Sequence, residues 1–306
     1  MEPELVSRAR GALLALVAGN QLGVPTEHLS TPDAIAKQFP AGVTDLAAPP
    51  KNSPYDDDAA LALLFGESLL AARGFDASDV ARRWVKWMKV DGRGIGNTTR
   101  RALTLIDRGK EPFEAGRLVY QENPRASAGN GSVMRCVPAA LRYHDDLDRL
   151  IRVSTQQAAI THADERCTWG AAAVNLAARE LLHGNIYFID EVLHRIGDRA
   201  PRVLREAIHR VPREREADLP ITGPESGYVV HCIEIAFWFV THDRSLEETL
   251  VFLAQAGGDT DTNAAVAGAL LGARYGETAL PPRWLDQLVG AQGIAKLAED
   301  LVRSAQ

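Results

Sequence analysis

GGDTDTNAAVAGALLGARYG, residues 257–276, runs from a polar, acidic entrance into a stretch of small apolar residues. From Asn263 to Tyr275 the apolar positions recur at three- and four-residue spacing, the period of a helix. Side chains this small let a neighbouring helix come close. WGAAAVNLAARELL, 169–182, has the same character. The same period predicts helices over Val6–Ala18, Ala59–Ala72, Val80–Val90, Thr98–Asp107, Val133–Arg142, Ala163–Leu182 and Gly227–Thr241. Alternating β-branched strand patterns are scarce, and no regular period of self-similarity marks a repeat array. The expected fold class is therefore all-α, a compact single-domain multi-helix globule over 1–306. Stretches 41–54, 111–131 and 213–226 carry the Pro, Gly and Asp punctuation of long loops, the second with room for a helical turn. None has the low complexity of a linker.

The composition excludes several classes. Of 306 residues, 46% are hydrophobic and 24% charged, which is enough for a substantial core and rules out disorder. A net charge of -6 argues against a broad nucleic-acid footprint, which needs a basic surface. Cys136, Cys167 and Cys232 form no CxxC pair and sit in apolar patterns, so buried, reduced thiols are expected. GALLALVAG, 11–19, is too short to span a bilayer and follows mixed charges, so no membrane role and a cytoplasmic location are expected. Trp84 and Trp87 read as core, and no Walker A, HExxH or G-x-S-x-G motif occurs.

Two acidic helix entrances stand out. On a regular helix, residues two apart point about 200° from each other, so Asp259 and Asp261 converge only at a loop-to-helix transition. Gly257 and Gly258 permit unusual backbone angles at that point. With Thr262, the two carboxylates make an all-oxygen corner suited to Mg2+ or Mn2+. A helix cap with acids favoured by the dipole accounts for the same residues. SPYDDDAALALLFGESLL, 53–70, opens a second helix with Asp56, Asp57 and Asp58, Ser53 as candidate cap and Pro54 at the first helical position. Capping explains one of these acids, and three adjacent carboxylates repel one another unless a cation offsets them. Together the two clusters can supply both halves of a binuclear site.

Two further stretches are polar. In SAGNGSVMR, Gly129, Asn130, Gly131 and Ser132 form a tight turn running into a helix from about Val133, where free N–H groups can receive phosphate oxygens. A plain Gly-Asn-Gly turn is the simpler reading of the same residues. In GNQLGVPTEHL, Glu27 follows the end of the first helix.

In this order, these stretches resemble the ADP-ribosylglycohydrolase family, from about Gly11 to Gly276. GALLALVAGNQLGVPTE resembles the family's G-x-x-x-G-D-x-L-G-x-P-x-E; GRGIGNTTR, GNGSVMR, THADER and SGYVVHCIEIAFW match further segments in sequence. GGDTDTNAAVAGALLGARYG is the most specific match. The resemblance implies an all-α enzyme with two divalent metal ions, Mg2+ or Mn2+. It places the metal ligands on Asp56, Asp57, Asp58, Asp259, Asp261 and Thr262, and a catalytic role on Glu27 and Asp261. ADP-ribose contacts fall on Gly129, Asn130, Gly131, Ser132, Met134 and His162, with Tyr228 as a stacking or lining residue. Asp56 stands where Thr is usual in the family, Asn20 where Asp is usual, and Ala59 and Ala60 where Thr and Gln are common; some branches of the family carry a similar triple Asp, so the resemblance keeps the metal centre.

The expected reaction is hydrolysis of the bond between ADP-ribose and a modified side chain or related acceptor, with the protein acting as a monomer on ADP-ribose or an ADP-ribosylated protein. Nucleic acid enters only as a modified substrate. A catalytically degenerate ADP-ribose-binding protein is the alternative that Asn20 and the altered acidic motif keep open. An isoprenoid-synthase-like enzyme also uses Asp-rich Mg2+ sites, but its D-D-x-x-D spacing is absent.

Overall fold

The computed structural model describes residues 2–50 and 53–305. Among them are sixteen α-helices and no strand. They are α1 (Pro3–Gly23), α2 (Pro32–Gln38), α3 (Asp57–Ala71), α4 (Ala77–Val90), α5 (Asn97–Asp107), α6 (Pro112–Glu122), α7 (Pro138–Arg142) and α8 (Leu147–Ala159). There follow α9 (Glu165–Leu182), α10 (Phe188–Ile196), α11 (Arg202–Arg210), α12 (Val229–Thr241), α13 (Leu246–Gln255), α14 (Thr260–Tyr275), α15 (Pro282–Gln287) and α16 (Ala291–Arg303). The all-α expectation is met. One apolar cluster runs from Ala9 through Val302.

The centre of the fold is the pair α1 and α14, both buried on every side over most of their length. They run antiparallel with their backbones in contact. A Cβ added at Gly272 would lie 2.1 Å from the Gly11 carbonyl oxygen, and one at Gly19 would lie 2.2 Å from that of Ala264. Four-residue steps bring successive small residues to the same seam, Gly268 against Ala15 and Gly23 against Asp261. The consequence reaches the site directly. The C-terminal end of α1, with Asn20 and the turn to Glu27, is pinned against the first turn of α14.

Several sequence expectations need correction. Ser53 does not cap α3, and Pro54 is not helical: Asp56 takes the cap position, residues 53–56 are irregular, and the Ser53 hydroxyl is committed to the Asp91 carboxylate. The helix expected over Val133–Arg142 is helical only from Pro138, because Val133–Cys136 form tight turns and Pro138, lacking an N–H, fits the first helical position. Stretch 111–131 is not mainly loop, since Pro112 opens the three-turn helix α6, which buries Ala115, Gly116 and Val119. Stretch 41–54 is irregular where described, with Lys51 and Asn52 outside the described residues. Stretch 213–226 holds only short 3-10 turns. Helices α2, α8, α10, α11, α13, α15 and α16 lie outside the spans that the apolar period predicts.

Candidate active site and metal centre

The two acidic entrances meet. Asp57 and Asp58 occupy the first turn of α3, Asp261 that of α14, and Asp56 and Asp259 hold the two cap positions. Neither cap carboxylate accepts an N–H from its own helix, so capping does not account for these acids. The convergence of Asp259 and Asp261 depends on Gly258. Its φ is +72°, and an added Cβ would sit 2.2 Å from the Ile221 carbonyl oxygen. That close left-handed turn leaves Asp259 outside helical geometry, at φ -89° and ψ 75°, just before the helix begins.

Burial and mutual repulsion dominate the electrostatics. Asp56, Asp57, Asp58 and Asp261 are each at most 6% exposed, too little for water to screen them. Burial raises Asp56 to about 6, with the charge of Glu27 adding to it and the Asn20 hydrogen bond opposing it. Burial and the Asp56 charge push Asp57 up to about 8. Asp58 and Asp261 are raised well above the carboxylate range by burial and then by the neighbouring carboxylates, with which each comes within hydrogen-bonding reach. Carboxylate oxygens of Asp56, Asp57 and Asp58 lie within 4.8 Å of one another, as do those of Glu27, Asp56 and Asp261.

This donor set fits divalent cations. Asp56 Oδ1 and Asp58 Oδ1 are buried with no partner among the described residues, and Gly94 leaves a space that a Cβ, 2.5 Å from Asp57 Oδ1, would fill. Hard oxygens this crowded, with no salt bridge to a Lys or Arg among the described residues, suit a hard divalent cation. Asn20 also finds its reason here. Its Nδ2 donates to Asp58 Oδ2 at 3.1 Å, setting a neutral donor among the carboxylates.

The acids form the floor of a cleft of about 550 Å³. Of the expected site residues, Glu27, Asp57, Asp58, Asp259, Asp261, Thr262, Gly129, Asn130, Gly131, Met134 and His162 line it. Asn130 Nδ2 donates to Asp259 Oδ2 at 2.8 Å, tying the polar turn to the acidic floor. Three expectations fall outside the wall. Asp56 lies behind it within the acidic cluster. Ser132 is fully buried and gives its hydroxyl to the Cys167 carbonyl. Tyr228 lines a neighbouring cavity with Arg166, which shares Gly129 and Gly227 with the cleft. The turn itself is held by Asn130 N–H on the Gly227 carbonyl and Val229 N–H on the Ala128 carbonyl. It leads into further turns instead of a helix start.

Sequence reasoning gave no role to His28, Gly94, Gly96, Asn97, Thr98, Thr99, Ser226 or Gly227, which also line the cleft. For residues 94–99 a signal existed: GRGIGNTTR places glycines just before α5, and the Gly96 N–H reaches the Asp57 carboxylate.

The whole chain, residues 1–306, matches the ADP-ribosylglycohydrolase family. The chain belongs to that family. It is an ADP-ribosyl glycohydrolase, a hydrolase of glycosidic bonds of ADP-ribose. The glycohydrolase is 31% identical to the ADP-ribosyl-[dinitrogen reductase] glycohydrolase of Rhodospirillum rubrum, over 94% of this chain and 92% of the relative. It is 30% identical to the ADP-ribosylarginine hydrolase Tri1 of Pseudomonas putida, over 97% of this chain and 78% of the relative. A solved ADP-ribosylglycohydrolase-related protein complex superposes with a TM-score of 0.82 at 30% identity, covering 100% of both chains. No helix of the described residues is long and apolar enough to cross a membrane.

Proposed function

We propose that this glycohydrolase is a divalent-metal-dependent enzyme that releases ADP-ribose from a modified protein side chain, acting as a cytoplasmic monomer built as one domain. The observation that carries the reading is the meeting of Asp57 and Asp58 with Asp259 and Asp261, about 200 residues away in sequence, on the floor of one cleft. Asp56, Asp57, Asp58, Asp259, Asp261 and Thr262 would hold two ions, Mg2+ or Mn2+. Such ions, when bound, act as Lewis acids and favour ionisation of water.

The chain's own groups supply the rest. Glu27, on the exposed turn after α1, takes the proton from the attacking water, and Asp261 is the second carboxylate placed for that transfer. The same carboxylates face the positive charge that develops on the ribose as its bond to the acceptor breaks, and the proton taken from water passes on to the leaving acceptor atom, giving free ADP-ribose and the unmodified side chain. Asn130 fixes one oxygen of Asp259 and leaves the other to the floor. Gly129, Asn130, Gly131, Met134 and His162 form the wall that receives the rest of ADP-ribose, with Ser132 contributing through its backbone and Tyr228 from the adjoining cavity. Fixing both reactants against this frame converts a bimolecular encounter into a positioned one.

The relatives' names point to arginine-linked and dinitrogen-reductase substrates. The test is release of ADP-ribose from peptides of defined linkage, arginine and serine first, with Mg2+ or Mn2+ present. Activity should vanish with chelator and in Asp261→Ala. Full activity in Asp261→Ala would refute the metal assignment, and tight ADP-ribose binding without turnover on any linkage would favour a binding protein.

A further inference from the structure

No Arg or Lys lines the cleft among the described residues, while five carboxylates do: Glu27, Asp57, Asp58, Asp259 and Asp261. A ligand carrying a diphosphate must therefore find neutral donors on the wall away from the floor. His162 is one candidate. It is 3% exposed, and its Nε2 edge lies against Gly129 and Gly131, where an added Cβ would come 3.6 Å and 3.1 Å from Nε2.

Behind His162 stands a cation that never reaches the cleft. Arg135 is fully buried, its guanidinium 4.0 Å from the Trp84 ring centroid. Its Nη2 donates to Thr161 Oγ1 at 2.6 Å, and Thr161 Oγ1 lies 2.8 Å from His162 Nδ1. Arg135 and His162 are the two partners of that hydroxyl among the described residues. Guanidinium is a donor only, so Thr161 accepts from it. The hydroxyl hydrogen then has one acceptor, His162 Nδ1. With the opposite tautomer, Thr161 Oγ1 would take two donors and its own hydrogen would be buried without a partner.

We propose that Arg135 and Thr161 are positioning residues which lock His162 as the Nε2–H tautomer, making its cleft edge a fixed donor to an anionic oxygen of the substrate diphosphate. Burial and then the Arg135 charge push His162 down to about 3, so the ring is neutral at physiological pH and needs this relay to define which nitrogen bears the proton. Gln157 braces the relay, accepting from Arg135 Nε at 3.4 Å and donating to the Ser132 carbonyl at 3.0 Å, so the relay and the polar turn hold together. The use of this donor for ADP-ribose rests on the function proposed above; the tautomer does not.

The test uses the full chain with 15N-labelled histidine, the His162 signals being assigned by their loss in His162→Gln. Long-range 1H–15N spectra of the wild type should show Nε2 protonated and Nδ1 bare between pH 6 and pH 8. Thr161→Val should give a mixed or reversed tautomer and raise KM for an ADP-ribosylated peptide, and Kd for ADP-ribose, about tenfold with kcat nearly unchanged, because the contact is remote from the reacting bond. Thr161→Ser should restore both. Arg135→Met, which removes the donor that makes Thr161 an acceptor, should likewise give a mixed tautomer, and a folded Arg135→Met that keeps the wild-type spectrum would remove Arg135 from the relay; if that variant fails to fold, Thr161→Val carries the test. A wild-type ring protonated at Nδ1, or Thr161→Val with unchanged spectrum and affinity, overturns the proposal. A wild type with the Nε2–H signature that neither binds nor releases ADP-ribose would instead remove the functional reading and leave the relay standing.

Discussion

Asp57→Asn should stabilise the metal-free protein while greatly weakening its response to metal. The carboxyl of Asp57 is raised from 3.8 to about 8 by burial and by Asp56. At pH 7 it keeps its proton in the fold but loses it on unfolding, a cost of about 1.4 kcal/mol per pH step above 3.8, or about 4 kcal/mol in all. Asparagine is neutral in both states and retains an oxygen for the Gly96 N–H. Allowing half of the gross figure for relaxation of the cleft and of the unfolded chain, the gain is about 2 to 4 kcal/mol, or a Tm rise of about 4 °C or more. Thermal melts in chelator measure it directly. With Mg2+ or Mn2+ at a hundredfold over Kd, the wild type should gain about 2.7 kcal/mol and the variant much less. The sign with pH is also fixed. Between 3.8 and 8 the folded carboxyl holds a proton that the unfolded one has released, so stability falls as pH rises. His162, folded near 3 against 6.5 unfolded, opposes this only below 6.5. Hence Tm in chelator should drop from pH 6.5 to pH 8. A lowered Tm in Asp57→Asn, or a Tm in chelator that climbs over that window, would refute the view that these acids are crowded and unneutralised.

Three more substitutions probe how the site is held. Gly258→Ala forces a side chain onto the Ile221 carbonyl at a φ of +72°, and should cost more than ~2 kcal/mol in a denaturant melt while removing activity through Asp259. Gly19→Ala brings a methyl 2.2 Å from the Ala264 carbonyl, and separating α1 from α14 should cost about 1–3 kcal/mol and weaken Mn2+ binding measured by calorimetry. Asn20→Asp replaces the donor to Asp58 with another carboxylate; it should lower Tm in chelator by the equivalent of about 1–3 kcal/mol and tighten divalent-ion binding in the same titration.

The helical class, the small-residue helices and the two acidic entrances were legible because each is a local pattern. Helical period, the Gly-Gly dipeptide before Asp259 and the run Asp56–Asp58 lie within a few residues of one another and speak for themselves. Short or weakly patterned helices such as α2 and α15 were not legible, because tertiary packing stabilises them more than their own sequence does. The start of α3 was misplaced for a related reason. Ser53 and Pro54 make a good local cap, but Ser53 bonds to Asp91, which is distant in sequence.

By itself, then, the chain's sequence determined which residues could carry the chemistry and that helices would present them. Tertiary structure alone decided that Asp57 and Asp261 share one cleft, that Asn20 faces Asp58, and that Arg135 stands behind His162. Helix periodicity and turn chemistry act over a handful of residues. The meeting of α3 with α14, and of Thr161 with Arg135, depends instead on how closely packed helices bring distant segments together, and no local pattern encodes that distance.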